Sequence, residues 1–300
     1  MAKIISGTEL SEAIRSEIAA EAAAFRAETG VQPGLATVLV GDDPASQVYV
    51  RMKGKAAVKA GFYSREIVLP EHTPEAELLG VVEGLNADPR IHGILVQLPL
   101  PRHIDSGKVI RWIDPAKDVD GFHPINVGRL AIGDPDVLAP CTPAGIVEML
   151  LRSGYDPRGH RVVIVGRSNI VGRPLALLLL RSGRGGDATV TVAHSRTADL
   201  AAVTREAEIL IAAVGRPGLI TREMVRPGVV VIDVGVNRVE DPESERGYRL
   251  VGDVAYDEVA EVAEAITPVP GGVGPMTITM LLKNTLEAAR RSVRAGTAEG

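Results

Sequence analysis

Short runs of apolar, mostly β-branched residues recur along this chain, and longer stretches with helical periodicity separate them. In the second half, from Arg161 onward, the runs read RVVIVG, ATVTVAH, EILIAAVG and VVVIDVG. Continuous short apolar runs are typical of strands that are buried on both faces of a parallel sheet. Because helices separate them, this half predicts a Rossmann-type, nucleotide-binding sheet built from βαβ units.

The first half has the same alternation. Strands are predicted at LATVLVG, around Ile67 and at IHGILVQL. Helices are predicted after Thr8, from Asp43-Pro44 to about Gly61, and after Thr73-Pro74. This half therefore predicts a separate αβ domain.

The predicted fold class is α/β, with two domains linked by two helices. We assign residues 1–139 and 275–300 to an N-terminal αβ catalytic domain and residues 140–274 to the Rossmann-type domain. A chain of 300 residues is long enough for two domains that each bury a core. The first linking helix is PCTPAGIVEMLL. The second follows PVPGGVGPM, and we expect it to pack on the first domain through Ile278, Leu281, Leu282 and Leu286.

Composition narrows the class of partner. The net charge of −5, the scattered basic residues and the 3% aromatic content argue against a nucleic-acid partner. The longest apolar stretch, Leu175 to Leu180, is far shorter than the ~20 residues that span a bilayer. Cys141 is the single cysteine, and the N-terminal residues lack the apolar core of a signal peptide. These features predict a cytoplasmic protein without a membrane partner.

The strand RVVIV leads into a loop with glycines at its two ends, Gly166 and Gly172, and then into a helix. Such a loop can turn tightly and present backbone amides to a pyrophosphate. Its spacing differs from the standard dinucleotide fingerprint, and a plain turn is the alternative reading. The strands that follow favour the dinucleotide. We assign cofactor contacts to Gly166, Arg167, Ser168, Ile170, Val171, Gly172, Pro174, His194, Ser195, Arg196, Thr197, Val214, Gly215 and Val236.

The end of the second strand of this half bears on the choice of dinucleotide. NAD enzymes usually place an Asp or Glu there for the ribose hydroxyls, whereas this strand ends in His194-Ser195-Arg196-Thr197. A hydroxyl and a guanidinium suit a 2′-phosphate, with Arg167 as a further partner. We therefore predict a Rossmann-type NADP-binding domain. The alternative is that Arg196 is a solvated surface charge. The connection RSGRGGD at 181–187 is predicted to be flexible and exposed, without an assigned function.

In the first half, Ser46, Tyr49 and Lys53 have the spacing of residues on one helical face. A Lys beside an aromatic ring in a desolvated cleft can transfer protons near neutral pH. The alternative is a surface lysine beside a tyrosine at the core edge. Short-chain dehydrogenases also use Tyr-x-x-x-Lys, but within the Rossmann domain. Gln97 ends a predicted strand, where parallel sheets present functional side chains or simply expose an amide to water.

The segment KDVDGF places Asp118, Asp120 and Gly121 in an acidic turn. One carboxylate there can accept paired N–H donors from a heterocycle. A metal site is the rival reading, but two carboxylates without neighbouring ligands favour it poorly, so we predict no metal.

Eight motifs in order, SQVYVRMK, GILVQLPLP, KDVDGF, PCTP, VGRSNIVGRP, HSRT, DVGVNR and PVPGGVGPMT, resemble the bifunctional methylenetetrahydrofolate dehydrogenase/cyclohydrolase (FolD) family over residues 1 to about 290. The resemblance implies that the chain oxidises 5,10-methylenetetrahydrofolate with NADP to the 5,10-methenyl form. It also implies hydrolysis of that product to 10-formyltetrahydrofolate at the same cleft of a homodimer. The longer RSGRGGD connection departs from the family pattern and bears on cofactor preference.

The resemblance implies that Lys53 is the central catalytic residue and that Gln97 tunes the properties of Lys53. Tyr49 packs along the folate, and Asp120 holds the pterin ring. The implied substrate contacts are Ser46, Tyr49, Gln97, Leu98, Pro99, Asp120, Pro268, Gly271, Gly272 and Val273. A dehydrogenase without useful cyclohydrolase activity and a non-catalytic nucleotide-binding regulator are the alternatives. Intact Lys53, Gln97 and Asp120 argue against the regulator.

Overall fold

The computed structural model describes residues 2–244 and 247–298. In chain order the elements are β1 (Lys3–Ile4), α1 (Gly7–Thr29), β2 (Gly34–Val40), α2 (Pro44–Lys59), β3 (Tyr63–Leu69), α3 (Glu75–Ala87), β4 (Gly93–Val96), α4 (Ser106–Trp112), α5 (Pro124–Ala131), α6 (Cys141–Arg152), β5 (Arg161–Val165), α7 (Gly172–Leu180), β6 (Thr189–Ala193), α8 (Leu200–Arg205), β7 (Ile209–Ala212), a 3₁₀ turn (Arg222–Met224), β8 (Val230–Asp233), β9 (Asn237–Glu240), β10 (Tyr248–Val251), α9 (Tyr256–Ala260), β11 (Ala265–Ile266) and α10 (Val273–Ala298).

The chain divides into two compact units. The three-stranded unit contains Glu12–Cys141 and the chain from Ile278. The six-stranded unit contains the chain up to Ser11 together with Thr142–Thr277. None of the described helices is both long enough and apolar enough to cross a membrane.

The three-stranded unit has a parallel sheet in the order β3-β2-β4. The central strand β2 is buried along its whole length, as its unbroken apolar sequence predicts. On one face Ala36 and Val38 join a core with Leu78 and Val82 of α3. The strands are parallel, so the residues after β2 and β4 lie at the same edge of the sheet.

The six-stranded unit has a fully parallel sheet in the order β1-β11-β8-β7-β5-β6. Buried side chains of its strands, including Val163, Leu210, Val231 and Ile266, share one core. β9 and β10 pair separately as an antiparallel hairpin. The predicted α/β fold class, with a parallel sheet in each half, is confirmed.

One expectation about the N-terminus was wrong. We placed residues 1–11 in the first domain, but the chain up to Ser11 belongs to the six-stranded unit. The reason is β1, in which Lys3 and Ile4 pair in parallel with Ala265 and Ile266 of β11. A strand of two residues carries no periodic signal, so the helix that follows it dominated the sequence pattern.

The connection RSGRGGD was predicted to be exposed, and this holds for Ser182, Arg184 and Asp187 but not for two of its glycines. Its central glycines, Gly185 and Gly186, are buried. A Cβ atom on Gly185 would lie 2.6 Å from a methyl carbon of Val147 in α6, so only glycine permits this packing. The amide of Asp187 donates to the carbonyl oxygen of Arg181 at 2.8 Å and closes the loop. The glycines therefore serve close packing as well as chain reversal.

Candidate active site

A lysine and a glutamine are hydrogen-bonded at the carboxyl edge of the three-stranded sheet. Lys53 is only 9% exposed, and its Nζ donates to Oε1 of Gln97 at 2.9 Å. Gln97 follows β4, where its backbone amide donates to the carbonyl oxygen of Val38 at 2.8 Å. Its side-chain Nε2 donates to the carbonyl oxygen of Leu98 at 2.7 Å. These bonds point the amide oxygen of Gln97 towards Lys53.

Helix α2 presents Lys53 together with Tyr49. The helix begins at Pro44 because Asp43 caps it and accepts the amide of Ser46 at 2.8 Å. These hydrogen bonds, which include one from the Ser46 hydroxyl, lower the pKa of Asp43. Tyr49, one helical turn before Lys53, is 44% exposed and accessible to a ligand. Ser46 is buried and bonded to the cap, so its contact with substrate stays a prediction.

Asp120 is the third charged or polar member of this group. Burial raises the pKa of the Asp120 carboxyl above its usual value, and the positive charge of Lys53 acts in the opposite direction. Gly121 follows with a φ of +74°, a conformation that favours glycine, so the chain turns directly after the carboxylate. The structure thus brings Lys53, Gln97 and Asp120 together, as predicted. Among the described residues, no group of three or more His, Cys, Asp and Glu side chains is arranged to hold a metal ion.

Two residues that the sequence did not assign hold the backbone next to Asp120. The Asn284 Nδ2 donates to the carbonyl oxygens of Val119 at 2.8 Å and Ala139 at 2.9 Å. The Cys141 thiol donates to the same oxygen of Val119 at 3.2 Å. Burial raises the pKa of this thiol well above its usual value, and the Asp120 charge adds to that effect. Cys141 is therefore a neutral donor. The motif PCTP marked its position, whereas nothing in the sequence marked Asn284.

The six-stranded sheet presents its own loops at its carboxyl edge, after β5, β6, β7 and β8. Gly166 has a φ of +131°, and a Cβ atom on it would lie 2.1 Å from the carbonyl oxygen of Ala213. A Cβ atom on Gly172 would lie 2.2 Å from the carbonyl oxygen of Gly166. Both glycines are therefore required for a compact loop of the kind that brings backbone close to a dinucleotide. The exposed cofactor candidates around it are Arg167, Ser168, Ile170, Ser195, Arg196, Gly215 and Val236.

Ser168 has a structural role in addition to the cofactor contact that the sequence predicted. Its Oγ accepts the amides of Val171 at 3.1 Å and Gly172 at 3.4 Å, so it holds the loop at the start of α7. These are two of the amides expected to face a phosphate. Pro174 is buried in the first turn of the same helix, a position that suits its fixed φ. In this loop Arg167 is exposed, and its contact with a phosphate stays a prediction.

The turn after β6 is held by hydrogen bonds between its own residues. The Thr197 Oγ1 accepts the amide of His194 at 2.9 Å, and the His194 Nδ1 accepts the amide of Arg196 at 3.2 Å. Ser195 and Arg196 are both exposed. Among the described residues neither Arg167 nor Arg196 forms an ion pair, so both guanidinium groups are open to an anion. These groups suit the phosphates of a dinucleotide with a 2′-phosphate, which makes the residues present a fit for NADP.

The predicted substrate residues Pro268, Gly271, Gly272 and Val273 follow β11 in the six-stranded unit. Gly271 has a φ of +97°, and its carbonyl oxygen accepts the amide of Thr8 at 3.0 Å. A Cβ atom on Gly272 would lie 2.5 Å from the carbonyl oxygen of Pro268, and Val273 begins α10. Leu98-Pro99 and Val269-Pro270 have cis peptide bonds. Roles for these residues, and for Leu98 and Pro99, stay predictions.

A parallel sheet with a dinucleotide-type edge, and a second αβ unit with a Lys-Gln-Asp group, define a two-domain enzyme that depends on a nicotinamide dinucleotide. Two family models match the chain: the catalytic domain of tetrahydrofolate dehydrogenase/cyclohydrolase over residues 5–120, and the NAD(P)-binding domain of the same enzyme over residues 140–293. The chain belongs to the tetrahydrofolate dehydrogenase/cyclohydrolase family.

Individual relatives agree with this membership. The bifunctional protein FolD 1 of Myxococcus xanthus is 58% identical over 292 residues, which cover 97% of this chain and 99% of the relative. The bifunctional enzyme FolD of Campylobacter jejuni has a similar structure, with a TM-score of 0.91 and 46% identity over 97% of this chain and 100% of that one. The FolD of Trypanosoma brucei, solved with NADP cofactor and an inhibitor, has a TM-score of 0.92 and 45% identity over 98% and 99% of the two chains. The resemblance is confirmed, and the chain is a bifunctional dehydrogenase and cyclohydrolase of folate one-carbon metabolism.

Proposed function

We propose that the chain oxidises 5,10-methylenetetrahydrofolate to 5,10-methenyltetrahydrofolate with NADP and hydrolyses that product to 10-formyltetrahydrofolate, with Lys53 as the central catalytic residue. The observation that carries the residue assignment is the 2.9 Å hydrogen bond from Lys53 Nζ to Gln97 Oε1. It gives a nearly buried lysine a fixed direction at the edge of a parallel sheet, where enzymes of this class place reacting groups.

The dehydrogenase step needs positioning more than proton transfer. Hydride can leave the methylene carbon because the adjacent folate nitrogens stabilise the cation that remains, and NADP, when bound, supplies the hydride acceptor. The chain's residues hold the substrate: Tyr49 lies along its rings and Asp120 accepts N–H donors of the pterin. Pro268, Gly271, Gly272 and Val273 stay predicted substrate contacts, for which glycine would permit close backbone approach.

The cyclohydrolase step adds water to the electrophilic methenyl carbon. Water adds to the methenyl carbon and loses one proton, which leaves a neutral carbinolamine. The hydroxyl of that carbinolamine then loses its proton as one carbon–nitrogen bond of the folate breaks, the departing nitrogen takes up a proton, and the 10-formyl group remains. Lys53 assists removal of the proton from the attacking water, directly or together with Gln97 by orienting that water. Gln97 is a positioning residue in this scheme because its carbonyl oxygen holds Lys53 in place.

NADP is the proposed cofactor because Ser195 and Arg196 are exposed at the strand end where an NAD enzyme would carry a carboxylate, and Arg167 is a further exposed phosphate candidate in the loop after β5. The FolD of Trypanosoma brucei, solved with NADP, supports the same choice. Gly166, Ile170, Val171, Gly172, Pro174, His194, Thr197, Val214, Gly215 and Val236 complete the proposed cofactor contacts.

The decisive experiment supplies methylenetetrahydrofolate with NADP or NAD, follows nicotinamide reduction, and follows the decay of methenyltetrahydrofolate separately. We expect both activities, and a preference for NADP. Arg196→Ala should raise the KM for NADP about tenfold and leave the KM for NAD unchanged, because a charge-assisted hydrogen bond to phosphate is lost. Arg249→Ala, another exposed arginine of the same unit, is the matched control.

An unchanged NADP/NAD ratio in Arg196→Ala would place the discriminating residue elsewhere. Reduction of NADP without decay of methenyltetrahydrofolate would favour the alternative, a dehydrogenase without useful cyclohydrolase activity. Inactivity in both assays would overturn the proposed reactions.

The proposal includes a homodimer in the cytoplasm, with tetrahydrofolate derivatives as small-molecule partners and neither nucleic acid nor membrane. Support for a homodimer comes from β6, which in the described part of the chain pairs on one side only. Cys141, the single cysteine, is buried as a free thiol, which is compatible with a reducing compartment.

A further inference from the structure

Asp253 is a fully buried aspartate that follows the β9–β10 hairpin, and it accepts four N–H donors. Its Oδ2 accepts the amides of Val214 at 2.6 Å and Gly215 at 2.9 Å. Its Oδ1 accepts the amide of Arg216 at 2.8 Å and the side-chain Nδ2 of Asn237 at 2.9 Å. One carboxylate therefore holds three successive amides of the loop after β7 and a side chain from the segment after β8.

A second buried aspartate holds Asp253 in turn. Asp233, the last residue of β8, accepts the amides of Gly235 at 3.0 Å, Asp253 at 2.9 Å and Val254 at 3.0 Å. Its own amide donates to Oγ1 of Thr267 at 2.8 Å. The two carboxylates, together with the backbone amide of Asp233, thereby join the loops that leave β7, β8 and β11.

We infer that Asp253 is a positioning residue for the dehydrogenase reaction, because it fixes the loop Val214–Arg216 in the conformation that binds the dinucleotide. The inference rests on the proposed cofactor contacts of Val214, Gly215 and Val236. Asp253 is fully buried, so it acts through the loop and not on the cofactor directly. Converging hydrogen bonds to a carboxylate are strong and directional, which is how a supporting group holds a binding loop rigid.

The test is Asp253→Asn, which keeps one acceptor oxygen and turns an NH₂ group towards two of the N–H donors. We expect the KM for NADP to rise about tenfold, as the loss of charge-assisted hydrogen bonds predicts, with cyclohydrolase kcat/KM unchanged. Hydrogen exchange at the amides of Val214, Gly215 and Arg216 should accelerate. Asp257→Asn, an exposed aspartate of α9, is the matched control and should alter none of these.

The exchange measurement separates this inference from the proposed cofactor contacts. Unchanged exchange at the three amides, or an equal loss of both activities, would overturn the positioning role. Faster exchange with an unchanged KM for NADP would show that the carboxylate holds the loop but that the loop does not bind the cofactor. That result would overturn both the positioning role of Asp253 and the proposed cofactor contacts of the loop.

If Asp253→Asn does not fold, Asn237→Ala removes one donor and leaves the carboxylate intact. It should raise the KM for NADP a few-fold, and no change would contradict the inference.

Discussion

At the scale of single residues, the segment Lys117–Asp120 shows what the sequence could and could not predict. Asp120 was expected to face a ligand, and it lies beside Lys53. Lys117 instead donates to the carbonyl oxygens of Leu85, Asn86 and Asp88 at 3.3, 2.7 and 3.0 Å, where it stabilises the end of α3. The sequence does not show that helix end near Lys117, so it could not reveal this role.

Asp118, two residues before Asp120, has a different set of partners. It is 2% exposed and accepts the amide of His123 at 2.8 Å and the Nδ2 of Asn126 at 2.9 Å. Burial raises the pKa of its carboxyl, although these hydrogen bonds oppose the shift. The sequence interpretation treated the two aspartates as one acidic element because nothing local distinguishes them. Only the folded turn separates the structural carboxylate from the one beside Lys53.

The residue-scale prediction concerns Lys53→Met, which removes the proposed proton-transfer group and retains an apolar stem. We expect cyclohydrolase turnover to fall about 100-fold or more, the usual contribution of a general acid or base. The KM for NADP should stay within about twofold, because every proposed dinucleotide contact lies in the other unit. Steady-state assays of both activities measure this, with exposed Lys55→Met on the same helix as the control. An equal loss of cofactor binding would contradict the role given to Lys53.

At the scale of elements, long periodic segments were predictable and short ones were not. The predicted strands of both halves are present, and α1, α2, α3, α6 and α10 begin near their predicted starts. The helix α5 was missed because its eight residues are too few for a periodic signal. Its beginning is set by a local contact instead, in which the amide of Ile125 donates to Nδ1 of His123 at 3.1 Å. The hairpin β9–β10 was missed for the same reason.

The element-scale prediction concerns β6, whose outer edge is unpaired among the described residues and whose Val192 is 38% exposed. An open edge of β-branched residues favours pairing with a second copy, and lysine at such an edge opposes it. We expect the natural chain to have twice the 31.6 kDa monomer mass in solution, and Val192→Lys to shift it towards the monomer. Light scattering at several concentrations measures this. Val58→Lys, 64% exposed on α2, is the control, and a monomeric natural chain would refute the homodimer.

At the scale of the whole molecule, the buried Asp233 links stability to pH. Burial raises the pKa of its carboxyl to about 6, the hydrogen bonds from backbone amides oppose this, and the charge of Asp253 adds to it. The folded protein therefore holds this proton more tightly than the unfolded chain, whose carboxyl has its ordinary value of 3.8. Asp233 contributes most to stability below about pH 4, and that contribution is lost as the pH rises through about 6.

The whole-molecule prediction follows from the direction of this pKa shift. A shift of this size corresponds to about 3 kcal/mol, so the free energy of unfolding of the natural chain should fall by up to that amount between pH 4 and pH 7, relative to Asp233→Asn. Urea unfolding at several pH values measures the slope of the unfolding free energy against pH for the natural chain and for Asp233→Asn. Asp257→Asn controls for the loss of a negative charge. Parallel slopes in the natural chain and Asp233→Asn would mean that Asp233 does not titrate in this range.

Two glycines beside these buried aspartates limit how the cofactor preference could be engineered. A Cβ atom on Gly252 would lie 1.8 Å from Oδ2 of Asp233, and one on Gly235 would lie 2.3 Å from Oδ1 of Asp253. Neither position can accept even a methyl group without displacing a carboxylate. A library intended to convert an NADP enzyme to NAD should therefore leave the inner ends of these loops untouched. It should vary the exposed positions Ser195 and Arg196, which we propose as partners of the 2′-phosphate.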